Sequence, residues 1–338
     1  MKHSLLLPVI IIFAAGLLCA HPVQAQKQIV YAALHSENNV AVIDPEAGKI
    51  VQRIQVGREP DVVLLNSDNS RLYVSNTGDI TVSIVSIAEN RVAQVLRLPV
   101  NRRNIYAGTM ARTPDGMKIF VAERAENNED LRIYVIDTKK ENIVAQFDAG
   151  KNINSLSVSH DGRKLFVVNK GTGIVVFDVE TYKKVADVAP MKAAVENLFY
   201  CACSPTGPKA YVSYGPANKL QVVNTDTYKT EGEIPMPKYK TGQQRDIAFS
   251  PDGKYAFVIN WKVDLKEVDG LNVVDVAKNE VVKIFNSGVV SRGMVMAPDN
   301  KTFYCAADLL KWYNMLTLEH IRSISLQTAL AGIAVITK

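Results

Sequence analysis

Beyond residue 25 the chain carries three histidines and three cysteines, and their spacing limits the chemistry open to it. His160 falls in a turn at one end of a repeat and His320 in an outer turn. They cannot converge with His35 on one metal ion. There is no His-Glu-x-x-His, no Gly-x-Ser-x-Gly elbow and no phosphate-cradling glycine loop. There is also no Cys-x-x-Cys-His, so the chain itself attaches no c-type haem. Cys201 and Cys203 stand two apart on an apolar stretch and would share one face of a strand. A bridge at that spacing would distort the strand. With Cys305 the count is odd, which argues against a disulfide framework. The three read as small buried apolar residues. The residue types assign no catalytic, cofactor-binding or metal-binding residue.

What remains is a set of loops. Arg58, Arg102, Arg103, Lys151, Lys192, Lys240, Arg245 and Arg292 each fall just before a short apolar strand, where they would crowd one rim. A basic rim steers an acidic partner or an anionic ligand, although Lys and Arg are also ordinary loop residues. Two further loops are long. Glu123 to Asp130 is strongly polar and reads as solvated. The stretch from Trp261 to Gly270 mixes Trp261, Val263, Leu265 and Val268 with Glu267 and other charges, as protein contact patches do.

The elements that must position these loops repeat along the chain. Turns recur at Asn66–Ser70, Thr113–Gly116, Ser159–Gly162, Ser204–Gly207, Ser250–Gly253 and Ala297–Asn300. Their third residues are 45 to 47 apart. In Ser250-Pro-Asp-Gly253, Pro at the second position fixes φ and Gly at the fourth permits a positive φ. An apolar run with an aromatic follows each turn, as in Arg71-Leu-Tyr-Val74 and Tyr255-Ala-Phe-Val258. In the repeat spanning 239–288, four strands are legible: 246–249, 255–260, 271–275 and 281–285. The third strand of each repeat ends on a short polar residue: Asp44, Ser86, Asp137, Asp178, Asn224, Asp275 or Asn314. Such side chains can bond backbone amides two residues on and start the outer turn.

A unit of this length cannot bury its own faces and must stack radially on its copies. Seven third strands against six turns imply seven blades. The early strand at Gln28–Tyr31 has no first strand before it, and Ala331–Ile336 has no blade after it. Pairing them makes a composite blade from 27–57 and 327–338 and removes both sheet edges. The expected fold is all-β: a single seven-bladed propeller over 26–338 with four-stranded antiparallel blades.

Residues 1–25 read as an export signal. Lys2 leads an apolar stretch from Leu5 to Leu18, and Val23-Gln24-Ala25 supplies small residues for cleavage. Leu18 before Cys19 departs from an acyl-anchor pattern. No later window reaches membrane-spanning length, so the expected product is soluble in the periplasm or an equivalent compartment. Losing Lys2 takes the net charge from +5 to about +4, too diffuse for a nucleic-acid stripe.

The blade pattern, Ser-Pro-Asp-Gly-Lys with an apolar-aromatic strand and a Val-x-Val-x-Asp strand, resembles the YVTN-type propeller repeat. Within that group the chain is similar to the propeller subunits of periplasmic redox complexes. Among these it resembles the β subunit of quinohaemoprotein amine dehydrogenase, on Ala107–Gly116 and Gly293–Asn300. The propeller subunit of hydrazine synthase is a comparable relative. The resemblance implies a propeller without a redox centre, whose partner chains carry haem c or a protein-derived quinone. The leading expectation is a non-catalytic scaffold subunit in a hetero-oligomer, with Trp261, Leu265, Glu267, Arg102, Arg103, Lys151, Lys240, Arg245 and Arg292 at its contact mouth. A stand-alone propeller that binds an anionic ligand or a protein is the second reading. A lactonase-like hydrolase is the third, disfavoured by the scarcity of histidine and of acidic clusters.

Overall fold

Each repeat folds outward from its turn. In a computed structural model of the chain, Ser250 Oγ donates to Asp252 Oδ1 at 2.7 Å, and that oxygen accepts the Lys254 amide at 3.1 Å. The Tyr255 amide donates to Ser250 Oγ at 3.0 Å, which closes the turn onto the second strand. Thr113 with Asp115 and Ser159 with Asp161 make the same network. Gly253 has φ +68°, and a Cβ there would lie 2.0 Å from Oγ1 of Thr206 in the preceding turn. The glycine is therefore required twice, by its own backbone and by its neighbour.

The structure describes residues 27–102, 105–125, 129–191, 198–214, 218–236, 242–262, 270–286, 293–306, 309–326, 328 and 330–337. Among them are seven four-stranded antiparallel sheets and one short 3-10 turn, His35–Glu37. In blades 2 to 7 the strands follow chain order from axis to rim, over 60–97, 105–151, 153–188, 198–235, 242–286 and 293–325. Blade 1 is composite. Its innermost strand, Leu330–Thr337, pairs antiparallel with Gln28–Leu34, setting Gln28 opposite Thr337 and Val30 opposite Val335. The expected ring closure is present.

The outer turns form as the sequence implies. Oδ1 of Asp137, Asp178, Asn224, Asp275 and Asn314 each accepts two successive amides, at 2.9–3.1 Å, and Asp44 accepts one at 2.9 Å. Seven apolar clusters make the core, and each fills one seam between adjacent blades. An aromatic seven residues after the first residue of each inner turn anchors the seam: Tyr73, Phe120, Phe166, Tyr211, Phe257 and Tyr304, with Tyr31 at the same level of blade 1. The tyrosines among them reach the following blade. Tyr31 donates to Asn90 Oδ1 at 3.1 Å and Tyr211 to Asn279 Oδ1 at 2.9 Å. Tyr304 donates to Oε1 of Gln28, across the ring closure. Buried phenols take partners because an unpaired hydroxyl costs free energy. No helix of the described residues is long and apolar enough to cross a membrane.

Candidate binding mouth

The connections from second to third strands, and from blade to blade, emerge on one face; the six inner turns lie on the other. The fifth residue after the start of the second strand sits directly below the mouth, and in blades 2, 4 and 5 it ends that strand. It is Asn76 in blade 2, Glu123 in blade 3, Asn169 in blade 4 and Tyr214 in blade 5, all buried. Three of these side chains tie down the linker leading into their own blade. Asn169 Nδ2 donates to the carbonyls of Ala149 and Lys151 at 3.0 and 2.9 Å. The Tyr214 hydroxyl accepts the Met191 amide at 3.2 Å. Glu123 accepts from Arg102 Nη2 at 2.5 Å, the Arg132 amide at 2.8 Å and the Tyr134 hydroxyl at 2.7 Å. In blade 2 the linker instead packs directly: a Cβ on Gly57 would stand 2.7 Å from the Asn76 amide carbon.

Glu123 was expected in a solvated loop, yet it is 1 % exposed. The strand Lys118–Ala125 continues through it, and Arg102 supplies the opposite charge that burial demands. Arg102 is thereby turned toward the protein, with its Nη1 also donating to the Asp130 carbonyl at 2.6 Å and lying 3.7 Å from Glu129. Arg58 is similarly engaged, by Asp79 at 2.7 Å. Lys151 is half-buried at the end of Asn142–Lys151, opposite Asp130 in the sheet.

Among the described residues, blades 3 and 6 rise above blades 2 and 4. Their second strands, Lys118–Ala125 and Tyr255–Lys262, run two residues past the level at which Asn76, Asn169 and Tyr214 end theirs. At about 3.3 Å per residue this adds roughly 7 Å on two sides of the mouth. Trp261 was expected in a loop; it lies on this raised hairpin, paired in register with Gln243. The extra backbone pairing from Gly242–Lys262 to Gln244–Asn260 carries the strand past the repeat's usual end. Arg245 lies on the first strand of the same hairpin, Gly242–Phe249. Arg103, Lys192, Lys240, Leu265, Glu267 and Arg292 lie outside the described residues.

A feature not anticipated from sequence sits on the innermost strands. Tyr200 of blade 5 bonds Asp246 of blade 6, whose carboxyl also accepts the Met294 amide of blade 7. One side chain thus links three blades. Burial pushes the Asp246 carboxyl up to about 6, against the opposing pull of its backbone and Tyr200 hydrogen bonds. The facing carboxylate, and then burial, hold the Tyr200 phenol well above its usual range. Both residues stand four positions before their turns, as Ser155 does, whose Oγ lies 3.4 Å from the Cys201 amide of the next blade. Aligning the repeats on their turns was the signal that could have exposed this position. Among the described residues no group of three or more His, Cys, Asp or Glu side chains could hold a metal ion.

No family model matches the chain. It is 20 % identical over 271 residues to YncE of Salmonella typhimurium, an uncharacterized protein, covering 78 % of this chain and 72 % of that one. Among solved structures it resembles a functionally unknown protein from Desulfotomaculum acetoxidans, at TM-score 0.74 and 13 % identity over 91 % of this chain and 98 % of the other. Apo AztD from Citrobacter koseri matches at TM-score 0.63 and 14 % identity, over 93 % and 98 %. Dihydro-heme d1 dehydrogenase NirN, in complex with DHE, matches at TM-score 0.63 and 13 % identity over 90 % of this chain and 74 % of its own. At these identities the likeness establishes a shared propeller fold.

Proposed function

We propose that the chain is the non-catalytic propeller subunit of an exported oxidoreductase complex, of the quinohaemoprotein amine dehydrogenase kind, seating haem- or quinone-bearing partner chains across its mouth. The observation that carries this reading is the pair of raised walls. Among the described residues, the second strands of blades 3 and 6 run past those of blades 2 and 4 on the one face that the repeat leaves free to vary, and the Trp261 position lies on one of them. Tryptophan is over-represented among the residues that dominate binding energy at interfaces. Dihydro-heme d1 dehydrogenase NirN supports the reading, since a chain that contains a similar fold is an oxidoreductase acting on dihydro-heme d1. Export rests on the signal-like residues 1–25.

The test is purification of the protein from its native source under mild conditions, followed by sizing and haem staining. The expected species is larger than one chain and contains a haem- or quinone-bearing polypeptide. A stable monomer with neither would overturn the proposal. Within such a complex, Trp261→Ala should weaken the association by at least about 2 kcal/mol. The isolated subunit's melting should not move.

A further inference from the structure

On each innermost strand, the residue paired opposite the one before the seam aromatic lies at the turn-side end of the ring. Six blades place Val335, Leu65, Val158, Cys203, Phe249 or Met296 there, apolar side chains and one thiol. Blade 3 places Arg112, opposite Ile119. Its Nη1 donates to the Leu65 carbonyl of blade 2 at 3.0 Å. Among the described residues that is its only hydrogen bond, and no carboxylate makes an ion pair with it. The other half-buried arginines among them each meet one. Arg71 lies 2.6 Å from Glu141, Arg102 2.5 Å from Glu123 and Arg132 3.3 Å from Asp148. Residues 1–26 contain no aspartate or glutamate that could serve Arg112.

A guanidinium presents its N–H donors as a planar fork, and the fold spends only one of them here. Burial pulls the Arg112 pKa below its ordinary value, and the charge of Asp115 only partly opposes this. The Asp115 carboxylate is exposed and holds its own turn, accepting the Thr113 hydroxyl and the Met117 amide on Oδ1. A partly buried charge without a close partner costs stability, which an apolar residue like those of the other blades would avoid. The fork matches a carboxylate bidentately. One positive charge, already weakened by Asp115, is neutralised by a monoanion and overcompensated by a phosphate dianion. At the same level, Leu65 and Val158 in the flanking blades are half-exposed apolar side chains, so a group beside the carboxylate meets apolar surface.

We propose that Arg112 holds a monocarboxylate with an apolar body on the face opposite the mouth, where the inner turns of blades 2 and 3 meet. The carboxylate accepts N–H groups of the guanidinium that the fold leaves unused, and the apolar body lies along the neighbouring strand ends. Partner chains seated across the mouth would leave this site open.

The test uses the full-length mature chain at neutral pH, probed with octanoate by calorimetry and by melting. Expected are one octanoate per chain and a melting temperature that rises with its concentration. Octan-1-ol keeps the apolar body without the charge and should bind at least about tenfold more weakly, as should octanoate to Arg112→Met. Without ligand, Arg112→Met should melt at or above the parent, since it removes an unpaired charge and keeps an apolar stem. Arg124→Met removes an exposed cation at the mouth end of the adjacent strand and should bind as the parent does. Octanoate bound equally by Arg112→Met, lost in Arg124→Met, matched by octan-1-ol or absent from the folded parent would each overturn the proposal. So would a ligand-free Arg112→Met that melts well below the parent, or inorganic phosphate that binds more tightly than octanoate.

Discussion

Glu123 stands where blades 2 and 4 place Asn76 and Asn169, and the exchange of an amide for a charge changes what its neighbours must do. The carboxylate is buried, so it needs the Arg102 guanidinium and the Tyr134 hydroxyl, both of which it has. Glu123→Ala would strand a partly buried cation and a buried phenol, and the expected cost is about 3–5 kcal/mol, read as a fall in the denaturation midpoint. Glu123→Gln should cost less, because the amide can still accept from Tyr134. Asp246 gives the opposite case, a carboxyl raised to about 6 by burial. Its folded form holds a proton more tightly than the unfolded chain does. The stability it contributes is therefore full below about pH 4 and lost as pH rises through about 6. Asp246→Asn should flatten this dependence, by at most about 3 kcal/mol for a shift of about two pH units, less for solvent reaching the channel wall. Melting temperatures of parent and variant at pH 4.5 and 7.5 check it; an unchanged slope would show that Asp246 does not titrate in this window. Neither residue was legible as a site. Their partners lie in other repeats or across a linker, and only contact in three dimensions reveals them.

The strands and turns were legible because their causes are local. An Asx side chain bonding amides two and three residues on, or a serine closing a five-residue loop, is written into adjacent positions, and the structure shows those bonds. Strand lengths were less legible. Trp261 and Glu123 read as loop residues since their polar surroundings gave no apolar alternation, yet added backbone pairing in blades 3 and 6 extends the strands through both. The inner turns also do something that their own sequence hides, which is to interlock with their neighbours. Gly253→Ala should cost about 1–3 kcal/mol, from a positive φ together with contact against Thr206. A double-mutant cycle separates the two. Adding Thr206→Ala relieves the contact and should recover part of the loss, leaving the backbone share. Strict additivity would mean that the turns do not lean on one another.

At the scale of the ring, the first and last strands share one sheet, and this joint differs in kind from the other six. Elsewhere neighbouring blades are held by apolar seams and by chain continuity. At blade 1 the chain ends, and continuity is replaced by backbone hydrogen bonding along six register pairs from Gln28–Thr337 to Leu34–Leu330. The ring therefore never ends at a bare seam. Because Gln28 and Thr337 are neighbours across a sheet, strands about 4.8 Å apart, a short linker can join these two residues without strain in a chain cut back to 28–337. Two circular permutants then isolate the role of the composite blade. One is opened in the exposed outer turn at Asp226–Thr227, so that blade 5 becomes the composite one and its third and fourth strands still pair across the break. It should match the parent within about 1 kcal/mol, since a nick in an exposed turn tip is tolerated. The other is opened in the linker between blades 2 and 3, at 98–101, so that every blade is continuous and the ring is shut only by side-chain packing at one seam. That permutant should melt several degrees lower and exchange its amides fastest in the innermost strands Pro60–Leu65 and Ile105–Arg112, where the seam can part. Equal melting of the two permutants would mean that apolar packing alone closes the propeller and that the shared blade is an accident of where the chain begins.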